Sequence, residues 1–425
     1  MIIQKKLDCG VTLVAEPLKN FRSVTVGIWV GAGSITESSQ ENGISHFIEH
    51  MLFKGTEKRS AKQIAIDVDS IGGQVNAFTS KECTCYYIKS IDEKMEDAIE
   101  ILTDFFCNAV LDEEEMEKEK GVVLEEIAMN NDTPEDVASD LVAKVFFDTC
   151  SLEKTILGPP ENICSFSRGD LKSYMKRYYT AENIVVAVAG NFEEERLTDC
   201  LNKYLSNVNT AALHVPEFAK CNTFSTKKNF ATVQKDIEQV HIWLAMPGVN
   251  IGEKRKYALN IFNNILGGSM SSRLFQKIRE EMGLVYTVFS HPVMYRDTGM
   301  LGVYAGTTYK NAQTVTELVI QELSALKKSG ATKEEFVQSK AQLKGSLVLA
   351  LESTSAKMNS LGKSMTLTGR VYTDDEILQF LEDVTYEDMQ SIIDEIVVSH
   401  LLSGAYVGKI ENEQALKSMI DGAAF

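Results

Sequence analysis

An internal repeat is the feature that most restricts the fold of this sequence. The segment DLKSYMKRYYTAENIVVAVAGNF from Asp170 resembles DMQSIIDEIVVSHLLSGAYVGKI from Asp388, and Gly190 and Gly408 are separated by the same offset as these two aspartates. A second pair of segments, LDEEEMEKEK from Leu111 and ATKEEFVQSK from Ala331, matches at nearly the same offset. Because a nearly constant offset runs through most of each half, the sequence predicts two homologous domains that arose by duplication.

Chain length and strand pattern indicate how these domains are built. A chain of 425 residues is too long for one ordinary core. Periodicity fades around NVNTAALHVPEFAKCNTFSTKK, so we expect a domain at 1–212, a linker at 213–228 and a second domain at 229–425. Strand-like runs alternate irregularly with long helical segments, which predicts an α+β fold. Each domain is expected to be a mostly antiparallel sheet packed with helices.

Composition restricts the partners and the location. The chain has 60 acidic and 43 basic residues, a net charge of -17 that disfavours nucleic acid and anionic membranes and favours cationic partners. Solubility alone is an equally good explanation of this charge. We find no apolar run of membrane-spanning length and no signal peptide, so we expect a cytoplasmic protein. The eight scattered cysteines are then expected to be reduced thiols.

The segment GISHFIEHMLFKGT predicts a helix that carries two histidines. His46 and His50 are four residues apart and lie on one helical face, with Glu49 beside them. The pattern has three interpretations: chance, a buried polar cluster, or a metal site. A catalytic zinc site usually needs a third protein ligand and keeps one position open.

The helical segment EKEKGVVLEEI is the best source of that third ligand. The other histidines have no acidic or histidine neighbour at ligand spacing. Glu119 and Glu126 differ by seven residues and therefore share a helical face, whereas Glu125 points elsewhere. A solvated acidic face is the competing interpretation, and it is weaker for Glu126, which adjoins the apolar end of the segment.

The order H-x-x-E-H and its surroundings resemble the pitrilysin family of metallopeptidases, in particular its processing-peptidase-like branch. The matching segments are GAGSITESSQENGISHFIEHMLFKGT, IGGQVNAFTSKECTCYY and EKEKGVVLEEI. The resemblance implies one zinc ion per chain bound by His46, His50 and Glu126. It also implies that Glu49 is the catalytic base and that Glu119 is an auxiliary acidic residue.

The same resemblance implies substrate-binding residues in both halves. GGQVNAFTS resembles the edge strand that pairs with extended substrate, which points to Asn76 and Ala77. IREEMGLVYTV resembles a substrate-binding segment and points to Arg279 and Tyr286. The expected function is a zinc-dependent endopeptidase acting on peptides or presequence-like extended segments. A non-catalytic assembly subunit and a metal-dependent hydrolase of a non-peptide substrate are the alternatives.

The second half is expected to have lost the metal chemistry. The match between LDEEEMEKEK and ATKEEFVQSK places Ser339 and Ser346 opposite Glu119 and Glu126. The second half has no pair of histidines that corresponds to His46 and His50. The family builds a closed chamber from four such domains, and this chain provides two. The resemblance therefore implies a homodimer in which the second half of one chain completes the site of its partner.

Overall fold

The computed structural model describes residues 2–148, 150–213, 219–221 and 228–425, and packing divides it into two compact units. The first unit contains Met1–Ile127, Thr155–Ala219 and Leu349–Thr373. The second contains Ala128–Lys154, Lys220–Val348 and Asp374–Phe425. Most of the predicted linker at 213–228 lies outside the described residues.

Strands of the first unit form a six-stranded sheet in the order β1-β2-β6-β3-β5-β4. All neighbouring pairs are antiparallel except β2 with β6, which are parallel. The predicted strand-like run QVNAFTSKECTCYYIKS forms the last two strands of this order and the turn between them. The strands are β1 (Ile3–Lys6), β2 (Thr12–Pro17), β3 (Ser23–Val30), β4 (Gln74–Thr79), β5 (Thr84–Ile91) and β6 (Ile184–Gly190).

Strands of the second unit form a five-stranded sheet in the order β7-β11-β8-β10-β9. Only β7 and β11 pair in parallel. This order repeats the β2-β6-β3-β5-β4 part of the first sheet, so the predicted duplication and the α+β fold are confirmed. The strands are β7 (Phe230–Gln234), β8 (Gln239–Pro247), β9 (Val285–Met294), β10 (Gly299–Thr308) and β11 (Ser403–Gly408).

Long helices pack on both sheets, and within the described ranges none is both long and apolar enough to cross a membrane. Two π-helical segments, Asn264–Gly268 and Phe275–Glu281, lie in the second unit. The α-helices are α1 (Ile44–Leu52), α2 (Ala61–Ser70), α3 (Met95–Asn108), α4 (Glu113–Asp132), α5 (Pro134–Phe146), α6 (Pro160–Ser165), α7 (Arg168–Tyr178), α8 (Glu194–Tyr204), α9 (Lys256–Asn263), α10 (Ala312–Ser329), α11 (Lys333–Ala350), α12 (Thr354–Thr368), α13 (Asp374–Asp383), α14 (Tyr386–Ile396) and α15 (Glu413–Gly422).

Two equivalent helices, one in each half of the sequence, begin with the same capping arrangement. Ser167 and Asp170 form a reciprocal capping box at the start of α7, and Thr385 and Asp388 form the same box at the start of α14. In each box the hydroxyl accepts a backbone N–H, and the aspartate accepts the N–H of the capping residue, so two otherwise unpaired donors are satisfied. These boxes explain why the two segments begin alike.

The glycines that follow the repeated strands also have equivalent roles. Gly190 and Gly408 both have a φ of 139°, a left-handed value that strains other residues. A Cβ atom would lie 2.3 Å from the backbone oxygen of Ser23 at the first position and 2.4 Å from that of Gln239 at the second. The close backbone approach therefore requires glycine in both halves.

Each unit contains a helix from the opposite half of the sequence. Helix α12 packs on β3 and β6 of the first sheet, and α5 packs on β8 and β11 of the second. On α12, Met358 accepts a hydrogen bond from Trp29 Nε1 at 3.3 Å. A Cβ atom on Gly362 would lie 2.0 Å from the same indole nitrogen, so this helix approaches the sheet too closely for a larger side chain.

This exchange was not part of the domain prediction. The continuous domains at 1–212 and 229–425, which were deduced from the sequence repeat, stay a prediction. Packing in the structure places 128–154 with the second unit and 349–373 with the first. Hydrophobic periodicity shows that a helix has an apolar face but does not identify the sheet that covers this face.

The expectation that all cysteines are reduced thiols is wrong for one pair. Cys150 and Cys221 form a disulfide within the second unit, with their Cα atoms 5.6 Å apart. They are 71 residues apart in sequence, so their spacing gave no signal of pairing. The described cysteines that are not disulfide-bonded are Cys9, Cys83, Cys85, Cys107, Cys164 and Cys200.

Candidate metal centre

Helix α1 presents its polar residues on one face because its apolar residues are buried on the other. Phe47, Ile48 and Met51 are fully buried in the core of the first unit. His46 and His50 therefore lie on the opposite, half-buried face, one turn apart. The helix predicted from GISHFIEHMLFKGT is confirmed, and it ends at Leu52.

The start of α1 is held by a buried carboxylate that the sequence analysis missed. Glu37 accepts hydrogen bonds from the backbone N–H of Gly43 at 2.8 Å and of Ser45 at 2.9 Å. Burial raises the pKa of Glu37, although these N–H groups and Asn42 oppose the shift. Glu37 lies six residues before Gly43 instead of at the usual capping position, so no standard capping pattern marks it.

Three ligand atoms from α1 and α4 converge on one point. His46 Nε2 is 3.3 Å from His50 Nε2 and 3.5 Å from Glu126 Oε2, and His50 Nε2 is 3.4 Å from the same carboxylate oxygen. In a tetrahedral zinc site with bonds of about 2.0 to 2.1 Å, ligand atoms are about 3.3 to 3.4 Å apart. The observed triangle fits a zinc ion.

The protonation of His46 also fits a metal ligand. Burial and the neighbouring His50 lower the pKa of His46 to about 4, so its imidazole is neutral at pH 7 and offers a lone pair. His46 Nδ1 is buried and has no hydrogen-bond partner among the described residues. Two imidazoles and one carboxylate form a donor set typical of catalytic zinc.

A buried carboxylate orients the second histidine. Glu119, only 4% exposed, accepts a hydrogen bond from His50 Nδ1 at 2.8 Å and pairs with Lys54. Burial raises the pKa of Glu119, but the hydrogen bonds from His50 and Lys54 outweigh this effect, so its net pKa is lowered. A histidine held in this way directs Nε2 at the metal position. Lys54 was not predicted, although it lies only four residues after His50, just beyond the end of α1.

The neighbouring Glu126 and Glu125 differ in their orientation. Glu126 is half-buried and faces the histidines, whereas Glu125 is exposed. This difference agrees with the helical phase deduced from the sequence. In the described part of the chain, His46, His50 and Glu126 form the one cluster of three potential metal-binding side chains.

Glu49 lies beside the cluster and contacts the edge strand. Its Oε2 accepts a hydrogen bond from Thr79 Oγ1 at 2.5 Å. Burial raises the pKa of Glu49, while the hydrogen bond from Thr79 opposes the shift. Thr79 is the last residue of β4 and was not singled out from the sequence.

Strand β4 is an edge strand whose outer side has no partner strand in the described residues. Asn76 is exposed and Ala77 half-buried, and Asn76 Oδ1 accepts the N–H of Ala77 at 2.9 Å. The Asn76 side chain therefore occupies a backbone N–H on the edge strand. The same strand ends at Thr79, which bonds to Glu49. Such an edge is suited to adding an extended peptide as a further strand.

Arg279 and Tyr286 lie together in the second unit. The Arg279 guanidinium carbon is 5.5 Å from the centre of the Tyr286 ring and 4.6 Å from that of Phe275. Tyr286 is 79% exposed. The two predicted substrate-binding residues therefore lie together, with Tyr286 exposed and Arg279 half-buried.

The second unit has no equivalent of the metal cluster among the residues described. Ser339, which corresponds to Glu119, is buried and accepts a hydrogen bond from Asn264 at 3.0 Å. Ser346 corresponds to Glu126 and shares a hydrogen bond with Gln342. Neutral serine hydroxyls, bonded to amide side chains, occupy the two positions where the first unit has carboxylates.

A duplicated α+β fold with a zinc-type H-x-x-E-H site in its first unit is typical of one class of metallopeptidase-like proteins. Comparisons with known proteins indicate the same class. Residues 13–160 match the family described as Insulinase (Peptidase family M16), and residues 165–343 match the Peptidase M16 inactive domain. The chain belongs to this family, the pitrilysin family.

Several curated relatives extend over nearly the whole chain. The uncharacterized zinc protease YmxG of Bacillus subtilis is 44% identical over 91% of this chain and 94% of the relative. The uncharacterized zinc protease SCO5738 of Streptomyces coelicolor is 35% identical over 96% of this chain and 90% of the relative. The crystal structure of a protease from Helicobacter pylori superposes with a TM-score of 0.89 at 22% identity, covering 96% of this chain and 99% of that one, and shows the same fold.

Proposed function

We propose that this protein is a zinc-dependent endopeptidase. The observation that carries the proposal is the convergence of His46, His50 and Glu126 at 3.3 to 3.5 Å, with Glu49 at their side. The names of the relatives, which are described as zinc proteases, support zinc use and peptide hydrolysis. An intact first-unit site argues against a non-catalytic assembly subunit.

In the proposed mechanism, Glu49 moves the proton. Zinc, when bound, would polarise the scissile carbonyl and make a water molecule more acidic. Glu49 accepts a proton from the attacking water and delivers it to the leaving amine, a role suited to a carboxylate whose pKa is raised by burial. Thr79 keeps this carboxylate pointed at the site, and Glu119 keeps His50 in its ligand orientation.

The substrate in this proposal is an extended peptide added to the outer edge of β4. Asn76 would release the N–H of Ala77 and let both residues bond to the substrate backbone. Recognition through the backbone places few demands on sequence, so charge supplies the preference. A net charge of -17 favours peptides that carry Lys or Arg.

Metal analysis combined with peptide cleavage tests this function. Purified protein is expected to contain about one zinc ion per chain, to lose cleavage of a mixed peptide library after chelation, and to regain it with stoichiometric zinc. Mass spectrometry of the products reports peptide bonds cleaved away from the termini. A zinc-loaded protein that leaves every peptide intact would support hydrolysis of a non-peptide substrate instead.

We further propose that the protein acts as a homodimer in which Arg279 and Tyr286 complete the site of the partner subunit. The exposure of Tyr286 and its pairing with Arg279 support a role in holding a substrate carbonyl. One chain contains two of the four domains that the closed chamber of this family requires. The closed chamber stays a prediction that depends on this assembly. The cytoplasmic location stays a prediction from the sequence.

Complementation between two inactive variants tests the dimer. Glu49→Gln chains and Tyr286→Phe chains are each expected to be nearly inactive. After subunit exchange, random pairing produces about half hybrid dimers with one intact site each, so about a quarter of the wild-type rate returns. A mixture of two Glu49→Gln preparations is the control. No recovery in exchanged hybrids, or full activity of a monomer in light scattering, would contradict the dimer.

A further inference from the structure

A cavity in the first unit is separate from the metal centre. It has a volume of about 350 Å³ and is formed by the end of α3, by α7 and by the segment that follows α8. Its apolar wall contains Phe106, Ala109, Leu111, Met175, Tyr179 and Val208, and Cys107, Asn207 and Asn209 also line the cavity. None of the proposed zinc-binding or catalytic residues lines it, so the endopeptidase mechanism does not use this space.

Two lysines of α7 stand at this apolar cavity. Lys172 and Lys176 are four residues apart, so their side chains are neighbours on the helix surface, and both are exposed. Neither forms an ion pair with any part of the chain that the structure describes, whereas the adjacent Arg177 pairs with Glu41. Like charges one helical turn apart repel each other, and an anion between them would remove this cost.

The wall of the cavity is formed before any ligand arrives. Phe106 and Tyr179 stack with ring centres 5.6 Å apart, and the Tyr179 hydroxyl bonds to Tyr86 at 2.9 Å. Leu111 has a φ of 51°, the one positive value among the described non-glycine residues. A leucine persists in this strained conformation only where its surroundings fix it, so this part of the cavity wall is held in place.

We propose that this cavity binds an amphipathic monocarboxylate of the fatty-acid type. The alkyl chain would occupy the apolar part, and the carboxylate would lie between Lys172 and Lys176. A volume of about 350 Å³ is roughly twice that of a cavity that accommodates benzene, which suits a chain of about ten carbons. In a protein of net charge -17, an anion-binding spot of this kind depends on local lysines.

Calorimetric titration of the full-length wild-type chain with decanoate, below its micelle concentration, tests the proposal. We expect saturable binding of one decanoate per chain, and binding about tenfold weaker in the double variant Lys172→Met/Lys176→Met, because both charge-assisted contacts are lost. Lys62→Met, which removes an exposed charge on α2 of the same unit, is the matched control and should bind like wild type.

Two further probes separate the contributions of chain and charge. Butyrate, with the same carboxylate and a short chain, should bind much more weakly, and decylammonium, with the same chain and the opposite charge, should not saturate. Met175→Trp should block decanoate by filling the cavity while the lysines remain. Undiminished decanoate binding in the double-lysine variant, equal binding of decylammonium, or no saturable decanoate binding would overturn the proposal. Because the readout is heat of binding, its failure is distinct from failure of the peptidase assignment.

Discussion

Glu49→Gln is expected to lower the rate of peptide hydrolysis by about 10² to 10⁴-fold, the usual effect of losing a general base. The amide has nearly the shape of the carboxylate and still accepts a hydrogen bond from Thr79, so the local structure should persist. It cannot accept a proton from water. The three zinc-binding side chains are unchanged, and the zinc content of the variant should match that of the wild type.

This prediction is checked by measuring kcat and zinc content in the same preparation. Glu57→Gln makes the same chemical change at an exposed position of the first unit and should hydrolyse peptides normally. A Glu49→Gln variant that retains zinc and cleaves peptides at the wild-type rate would remove Glu49 from the mechanism. Loss of zinc would show instead that Glu49 supports the metal site.

Glu126→Gln is expected to weaken zinc binding by more than about 100-fold. Loss of a residue that only orients a ligand typically costs about 10 to 100-fold in metal affinity, and Glu126 places its own oxygen 3.4 to 3.5 Å from both histidine nitrogens. Replacing the carboxylate by an amide also removes the one negative charge from the proposed ligand set. Competitive equilibrium dialysis against a chelator of known zinc affinity measures the loss.

The neighbouring glutamate supplies a matched control for this experiment. Glu125→Gln changes the same functional group one residue earlier, on an exposed face of α4, and should bind zinc like wild type. Glu119→Gln should have an intermediate effect, because it disturbs the hydrogen bond that orients His50 but leaves the ligands in place. Equal zinc loss from Glu125→Gln and Glu126→Gln would refute the helical-phase argument.

The repeat and the ligand pattern could be predicted because they depend on local spacing. The matched sheet orders follow from the duplication, and the shared face of Glu119 and Glu126 follows from seven residues of helix. The residues that support the site were harder to find. Thr79 and Lys54 make their contacts through the tertiary fold, and no motif marks a hydrogen bond between a strand end and a helix. Glu37 makes a local contact with the start of α1, but from a position that no standard capping pattern marks.

The disulfide and the exchanged helices were missed for the same physical reason. Cys150 and Cys221 become neighbours only after the chain between them has folded. The apolar face of α12 could pack on either sheet, and the choice depends on close packing such as that of Gly362 against Trp29. Complementary shape of this kind depends on distant residues together, whereas periodicity describes one segment at a time.

The exchange of helices has a consequence for how the chain folds as it leaves the ribosome. The sheet of the first unit is complete once β6 has been made, but α12, which contacts it through Thr354 to Thr25 and Met358 to Trp29, is translated much later. Domains ordinarily fold one after another during synthesis. Here the sheet of the first unit stays uncovered on one side until most of the second half has been made. The nascent chain would therefore present an apolar sheet surface to chaperones, and a gene cut between the halves would encode two pieces that each lack a helix.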